Sequence, residues 1–150
     1  MNNMDIKTQL NESLKTAMKS GDMTRKDTLR MALAAIKQVE VDKRIALDDA
    51  AVMALLQKEI KNRREALEEG KKANRPDLVS ANEAEIVILE TFLPKAMPAE
   101  DLRALVQAAI AETGAAAPSD MGKVMKAVLP RVAGRAPNDA VSAMVREYLK

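Results

Sequence analysis

Four cations stand close together in the last third of the chain: Lys123, Lys126, Arg131 and Arg135. No acidic residue falls between Met121 and Asn138, so that window carries only positive charge. Lys123 and Lys126 are three residues apart, which on a helix puts them on one face. Met121, Val124, Met125 and Val128 then form the opposite, apolar stripe. Arg131 and Arg135 flank Gly134, where the backbone can turn tightly. Such a cluster does electrostatic chemistry: its ammonium and guanidinium groups take phosphate oxygens, and each contact releases condensed counterions. The pattern predicts a contact surface for an RNA backbone. An ordinary solvated face is the competing reading, because charge of this density is common on helices. No aromatic residue interleaves with the cations, so base stacking and sequence-specific reading of single strands are not expected.

Other chemistry is excluded by residue type. The chain has no His and no Cys. That removes disulfides, thiol nucleophiles, thiolate metal sites and His-based relays. Carboxylates are plentiful, among them Glu59, Glu83, Glu85 and Glu90. A di-iron bundle would need Glu-x-x-His pairs, and an acid–base pair would need an enclosing pocket that nothing in the sequence indicates. The five glycines are isolated, so there is no phosphate-cradling loop. No catalytic residue, metal ligand or cofactor is therefore expected. Ten methionines are many; core filling in a chain with one Phe and one Tyr is the plain explanation, a Met-rich groove the sharper one. No uncharged run exceeds eight residues, and no apolar leader follows Asp5 and Lys7. The default expectation is a soluble cytoplasmic protein without membrane partners.

Helices must position these groups. Of 150 residues, 47% are hydrophobic, but Ala, Leu and Met dominate rather than the aromatic residues that build sheets. Apolar residues recur every three or four positions throughout. The first helix is expected over Asp5–Ser20, with Met18 on its apolar stripe, Asp5 as cap and Gly21 as stop. The second runs from Asp22 to about Arg44, burying Leu29, Ala32, Leu33, Ile36 and Val39. The third opens at Asp48 or Asp49 and buries Val52, Leu55, Leu56, Ile60 and Leu67. Its charged stretch, Lys58 to Lys72, includes Glu59 and Arg63 in the favourable order for a surface pair. Pro76 starts the fourth helix, and Pro94 is expected to end it. The segment Leu93–Pro98 holds two prolines four apart and reads as a linker. Three shorter helices follow, over Pro98–Thr113, Pro118 to about Val132, and Pro137–Lys150. Gly114 and Gly134 are the expected stops, and Pro130 should kink the sixth helix or tighten its last turn. Gly122, in the first turn of that helix, suggests close packing by another helix or close approach of a ligand backbone, the former being the expectation. The fold class is all-α, with a four-helix N-terminal domain (1–94) and a three-helix C-terminal domain (95–150). Residues 1–94 hold 16 basic and 16 acidic side chains, and residues 95–150 hold 8 and 6, so the net charge of +2 is all C-terminal.

Five stretches in register also resemble a known family. They are Met31-Ala32-Leu33-Ala34-Ala35-Ile36-Lys37, Leu56-Gln57-Lys58-Glu59-Ile60-Lys61-Asn62-Arg63-Arg64, and Glu85-Ile86-Val87-Ile88-Leu89-Glu90 running into Phe92-Leu93-Pro94. Asp120-Met121-Gly122-Lys123-Val124-Met125-Lys126 and Gly134-Arg135 complete the set. Together they resemble the GatB/YqeY family, in particular its stand-alone YqeY-like members, over essentially the whole chain. The resemblance implies a helical N-terminal domain followed by a small three-helix domain. It also implies a relation to the tail of the aspartyl/glutamyl-tRNA amidotransferase B subunit, which helps to hold tRNA. Of the four cations, Lys123, Lys126 and Arg135 fall within the matched stretches, with Arg131 between them. A family label of carbon–nitrogen ligase with glutamine as amido donor would follow by inheritance, since that subunit's catalytic module has no counterpart here. One departure stands out. Ala116-Ala117 precede Pro118 where relatives tend to carry Ser or a similar cap, so Ser119 is expected to substitute.

Three functions are then in play. The first is a tRNA-associated accessory binding protein acting through phosphate contacts at Lys123, Lys126, Arg131 and Arg135. The second is a helical protein–protein adaptor with an apolar groove on its N-terminal helices. The third, an independent ligase or hydrolase, is disfavoured by the missing nucleophiles and nucleotide loop.

Overall fold

The computed structural model describes residues 5–149, and there it contains seven α-helices and one 3₁₀ turn, with no strand. The helices are α1 (Ile6–Ser20), α2 (Met23–Lys43), α3 (Asp49–Lys72), α4 (Pro76–Glu90), α5 (Ala99–Thr113), α6 (Met121–Val132) and α7 (Asn138–Tyr148). The last residue of the expected seventh helix, Lys150, lies outside the described residues. Two compact units divide the chain, one ending at Leu93 and the other starting at Pro94.

In the first unit three aspartates set the helix starts. Asp5, Asp22 and Asp48 each accept a hydrogen bond from the backbone N–H three residues on, at 2.7, 3.1 and 2.9 Å. Each satisfies one of the donors a helix start leaves orphaned. Gly21 closes α1 at φ 76°, a left-handed conformation that costs glycine little. The core joins Leu10 of α1, Leu29 and Ile36 of α2, Val52 and Leu56 of α3 and Leu89 of α4. These are the apolar positions that the three- and four-residue spacing predicts. Met18 departs from that pattern. It is 52% exposed, because Ala17 takes the buried place at that turn. A long-range brace ties α1 down: Lys7 pairs with Glu40 at 2.8 Å, and the same Glu40 oxygen accepts from the Leu47 backbone. Both contacts hold the Glu40 carboxyl below its ordinary range, Lys7 more strongly.

α4 stops before Pro94. It ends at Glu90, and Thr91, Phe92 and Leu93 follow in tightened turns, each N–H reaching the carbonyl three residues back. A helix avoids the residue before a proline, and here the unwinding begins at Thr91, two residues before Leu93.

In the second unit Leu102, Val106, Val124, Val128, Val141 and Val145 form the centre of the core. Gly114 stops α5 at φ 68°. α6 ends differently from the expectation. Ala133, not Gly134, is the first left-handed residue, at φ 50°, and its N–H reaches the Leu129 carbonyl. Pro130 sits in the last turn, where it cannot donate to the Lys126 carbonyl. Tyr148, the single tyrosine, is half-exposed at the end of α7.

Candidate nucleic-acid interface

α6 positions two of the four cations, and its start is built without a serine. Pro118–Asp120 form the 3₁₀ turn, and Asp120 Oδ2 reaches back to accept from the backbone N–H groups of Ala116 and Ala117 at 3.0 and 3.2 Å. Asp120, and not Ser119, therefore fixes the turn that leads into α6, and the first N–H groups of α6 itself have no side-chain cap. Those two N–H groups, in that order, hold its carboxyl below the ordinary value, and Lys123 adds a smaller Coulombic pull.

From that start the helix fans its side chains out at about 100° per residue. Val124 and Val128 are buried, and Met121 and Met125 lie half-buried against the same core. The other side is solvent. Gly122, Lys123 and Lys126 share it, with Lys126 about 40° from Gly122 and about 60° from Lys123 around the axis. Lys126 has no ion-pair partner among the described residues, and Lys123 is held loosely by Asp120 at 4.0 Å. A Cβ built on Gly122 would meet nothing within 4 Å, so no helix packs there. That corrects the expectation of close packing at this glycine.

Arg131 and Arg135 do not join this face. Arg131 projects about 80° away from Lys123 and about 140° from Lys126. There it pairs with Glu112 near the end of α5. The pairing lowers the Glu112 carboxyl and raises the Arg131 guanidinium. Arg135 lies beyond the helix, and its Nε donates to the Lys95 carbonyl at 3.0 Å while its own carbonyl accepts from Met97 N–H at 2.8 Å. It straps the start of the unit onto the loop after α6. The four-cation cluster thus resolves into two outward lysines and two arginines already engaged.

The carboxylates resolve as well. Glu90 pairs with Arg64 at 3.1 Å, and among the described residues no three acidic side chains converge as a metal site. The charged stretch of α3 hides one surprise. Arg63, expected on the surface, is buried, with its side chain only 9% exposed. Its Nη1 donates to the side chain and the carbonyl of Glu59, at 3.0 and 3.1 Å, and its Nε faces Glu85 of α4 at 3.7 Å without a hydrogen bond. One signal was available: Arg63 falls three residues after Ile60 and four before Leu67, on the apolar stripe itself.

The profile of the family described as Yqey-like protein matches residues 7–149. The chain belongs to that family. Among curated relatives, the protein named "Altered inheritance of mitochondria protein 41, mitochondrial" of Lachancea thermotolerans is 40% identical over 91 residues, covering 60% of this chain and 49% of the relative. The protein of that name in Eremothecium gossypii is 35% identical over 112 residues, 72% of this chain and 61% of its own length. The one in Pyrenophora tritici-repentis is 29% identical over 145 residues, 94% of this chain and 79% of its own. This Yqey-like chain thus spans only about half to three-fifths of the first two relatives. The relatives are named as mitochondrial proteins, which overturns the cytoplasmic expectation. That expectation rested on the lack of an apolar leader, and mitochondrial transit peptides are amphipathic rather than apolar. No helix among the described residues is long and apolar enough to cross a membrane.

Proposed function

We propose that this Yqey-like chain is a tRNA-associated accessory binding protein without an active site of its own. In this reading residues 95–150 act as the binding module and residues 1–94 as a helical arm. The observation that carries the reading is the face of α6 where Lys123 and Lys126 point outward beside the open surface of Gly122. A phosphate backbone can approach such a face without displacing protein atoms, and two ammonium groups can follow it. Arg131 is a reserve contact, because its pair with Glu112 is exposed and exchanges readily with a phosphate. Arg135 contributes least, since its Nε is committed to the Lys95 carbonyl. The resemblance to the amidotransferase tail favours tRNA over other polyanions in this reading, and a carbon–nitrogen ligase label would then be inheritance.

Crosslinking in cells, nuclease trimming and sequencing of the protected fragments test the proposal. Enrichment of tRNA that disappears with Lys123→Glu/Lys126→Glu supports it. Recovery of protein partners alone, unchanged by nuclease, refutes it.

A further inference from the structure

A second surface lies in the first unit. Between α2 and α3 runs a groove of about 510 Å³. One wall is Ala35, Val39 and Lys43 of α2, and the other is Ala51, Leu55 and Lys58 of α3, with Leu47 at the end where the chain crosses between them. Spacings of three and four residues line each set up along its helix. The groove exists because α2 and α3 pack together less closely than α3 packs on α4. The α2 wall runs from Ala35 to Lys43, eight helical rises or about 12 Å. Anchors at i, i+4 and i+7 of a helix span about 10.5 Å, so one helix of two to three turns matches its length.

The charges choose among helices. The ionisable groups lining the groove are Lys43, Lys58 and Glu59. Glu59 is compensated by Arg63 at 3.0 Å. Lys43 and Lys58 are exposed, stand on opposite walls, and have no ion-pair partner among the described residues. The groove is therefore an apolar trough with a positive edge on each side. We propose that it docks an amphipathic helix of a partner protein whose apolar face is edged by Glu or Asp. Leucine-type side chains fill the trough, and the flanking carboxylates meet Lys43 and Lys58. The proposal rests on the first unit alone and does not depend on RNA binding by the second.

Two labelled helical peptides test it on the full chain. Both carry leucines at i, i+4 and i+7; one is edged by glutamates and the other by lysines. Fluorescence anisotropy gives the affinities, and methyl NMR locates the site. The glutamate-edged peptide is expected to bind at least about tenfold more tightly and to shift the Val39, Leu47 and Leu55 methyls. Lys43→Glu/Lys58→Glu changes only exposed side chains, and circular dichroism checks that the helices persist. This variant should reverse the preference between the peptides. Equal affinity for both peptides, binding to neither, or binding that leaves the groove methyls unmoved overturns the proposal. So does self-association abolished by the reversal, which makes a second copy the occupant, or a small apolar molecule that fills the groove while neither peptide does.

Discussion

Lys123→Glu/Lys126→Glu is the sharpest perturbation of the α6 face, because both side chains point to solvent and their loss leaves the core untouched. The size of the effect follows from counting contacts. Two phosphate contacts give a slope of log affinity against log salt of about −1.4 to −1.8, at roughly 0.7–0.9 per contact. Between 50 and 200 mM KCl that is about a 7- to 12-fold loss of affinity. Arg131 supplies a second, opposite lever. Glu112→Gln removes the carboxylate that holds it and frees a third cation. The slope should then steepen to about −2.1 to −2.7, a loss of about 20- to 40-fold over the same range. Anisotropy titrations of a labelled tRNA at four salt concentrations read both changes. The double reversal should abolish binding at 150 mM salt, and Glu112→Gln should strengthen it at 50 mM. Binding and slope unchanged by the double reversal would refute the assignment of this face, whatever Glu112→Gln does.

Four further outcomes are expected. Gly122→Ala meets open space in a helical turn, so it should stabilise the protein by about 0.5–1 kcal/mol in urea denaturation; a loss of stability would mean the site is tighter than 4 Å allows. Arg63→Met leaves Glu59 and Glu85 facing each other without their cation. It should cost about 1–3 kcal/mol, less than a fully buried pair because the two carboxylates are 27% and 24% exposed, and adding Glu59→Gln should recover part of the loss. Leu56→Ala, at a fully buried position, should cost about 2–5 kcal/mol by the same denaturation. Glu40, Glu112 and Asp120 all titrate below ordinary values, so their stabilisation is complete above the unfolded values and drains away as pH falls through the folded ones. Tm should therefore fall on acidification below about pH 4.5, and a flat Tm from pH 6 to about pH 2.5 would contradict the three contacts.

Helix positions were legible in the sequence because local chemistry sets them. Asp5, Asp22 and Asp48 begin helices by their own side chains, and Gly21 and Gly114 end α1 and α5 by their own backbone freedom. Leu29, Ile36, Val52, Leu56, Val124 and Val128 follow from periodicity alone. What the sequence hides is each charged side chain's partner. Arg131 and Glu112 are nineteen residues apart, and Arg135 and Lys95 forty, so no local rule joins them. Only Lys123 and Lys126 could be placed on a shared face from the sequence, since their spacing is shorter than one turn. Gly122 misled for a related reason: a glycine signals room for a close neighbour, and only tertiary packing decides whether one comes. Arg63 was masked by its neighbours, because a cation among nine other charges between Lys58 and Lys72 reads as surface even when it interrupts an apolar stripe.

The near-absence of aromatic side chains has a practical consequence. With no tryptophan and a single tyrosine, intrinsic ultraviolet emission originates from one phenol, at the C-terminal end of α7. A melting curve followed by that emission tracks the second unit, and the first is optically silent. Phe92→Trp would give the first unit a chromophore of its own at a half-buried position beside its core. Two wavelengths would then follow two transitions in one cuvette, and their coincidence or separation would measure how far the halves melt together.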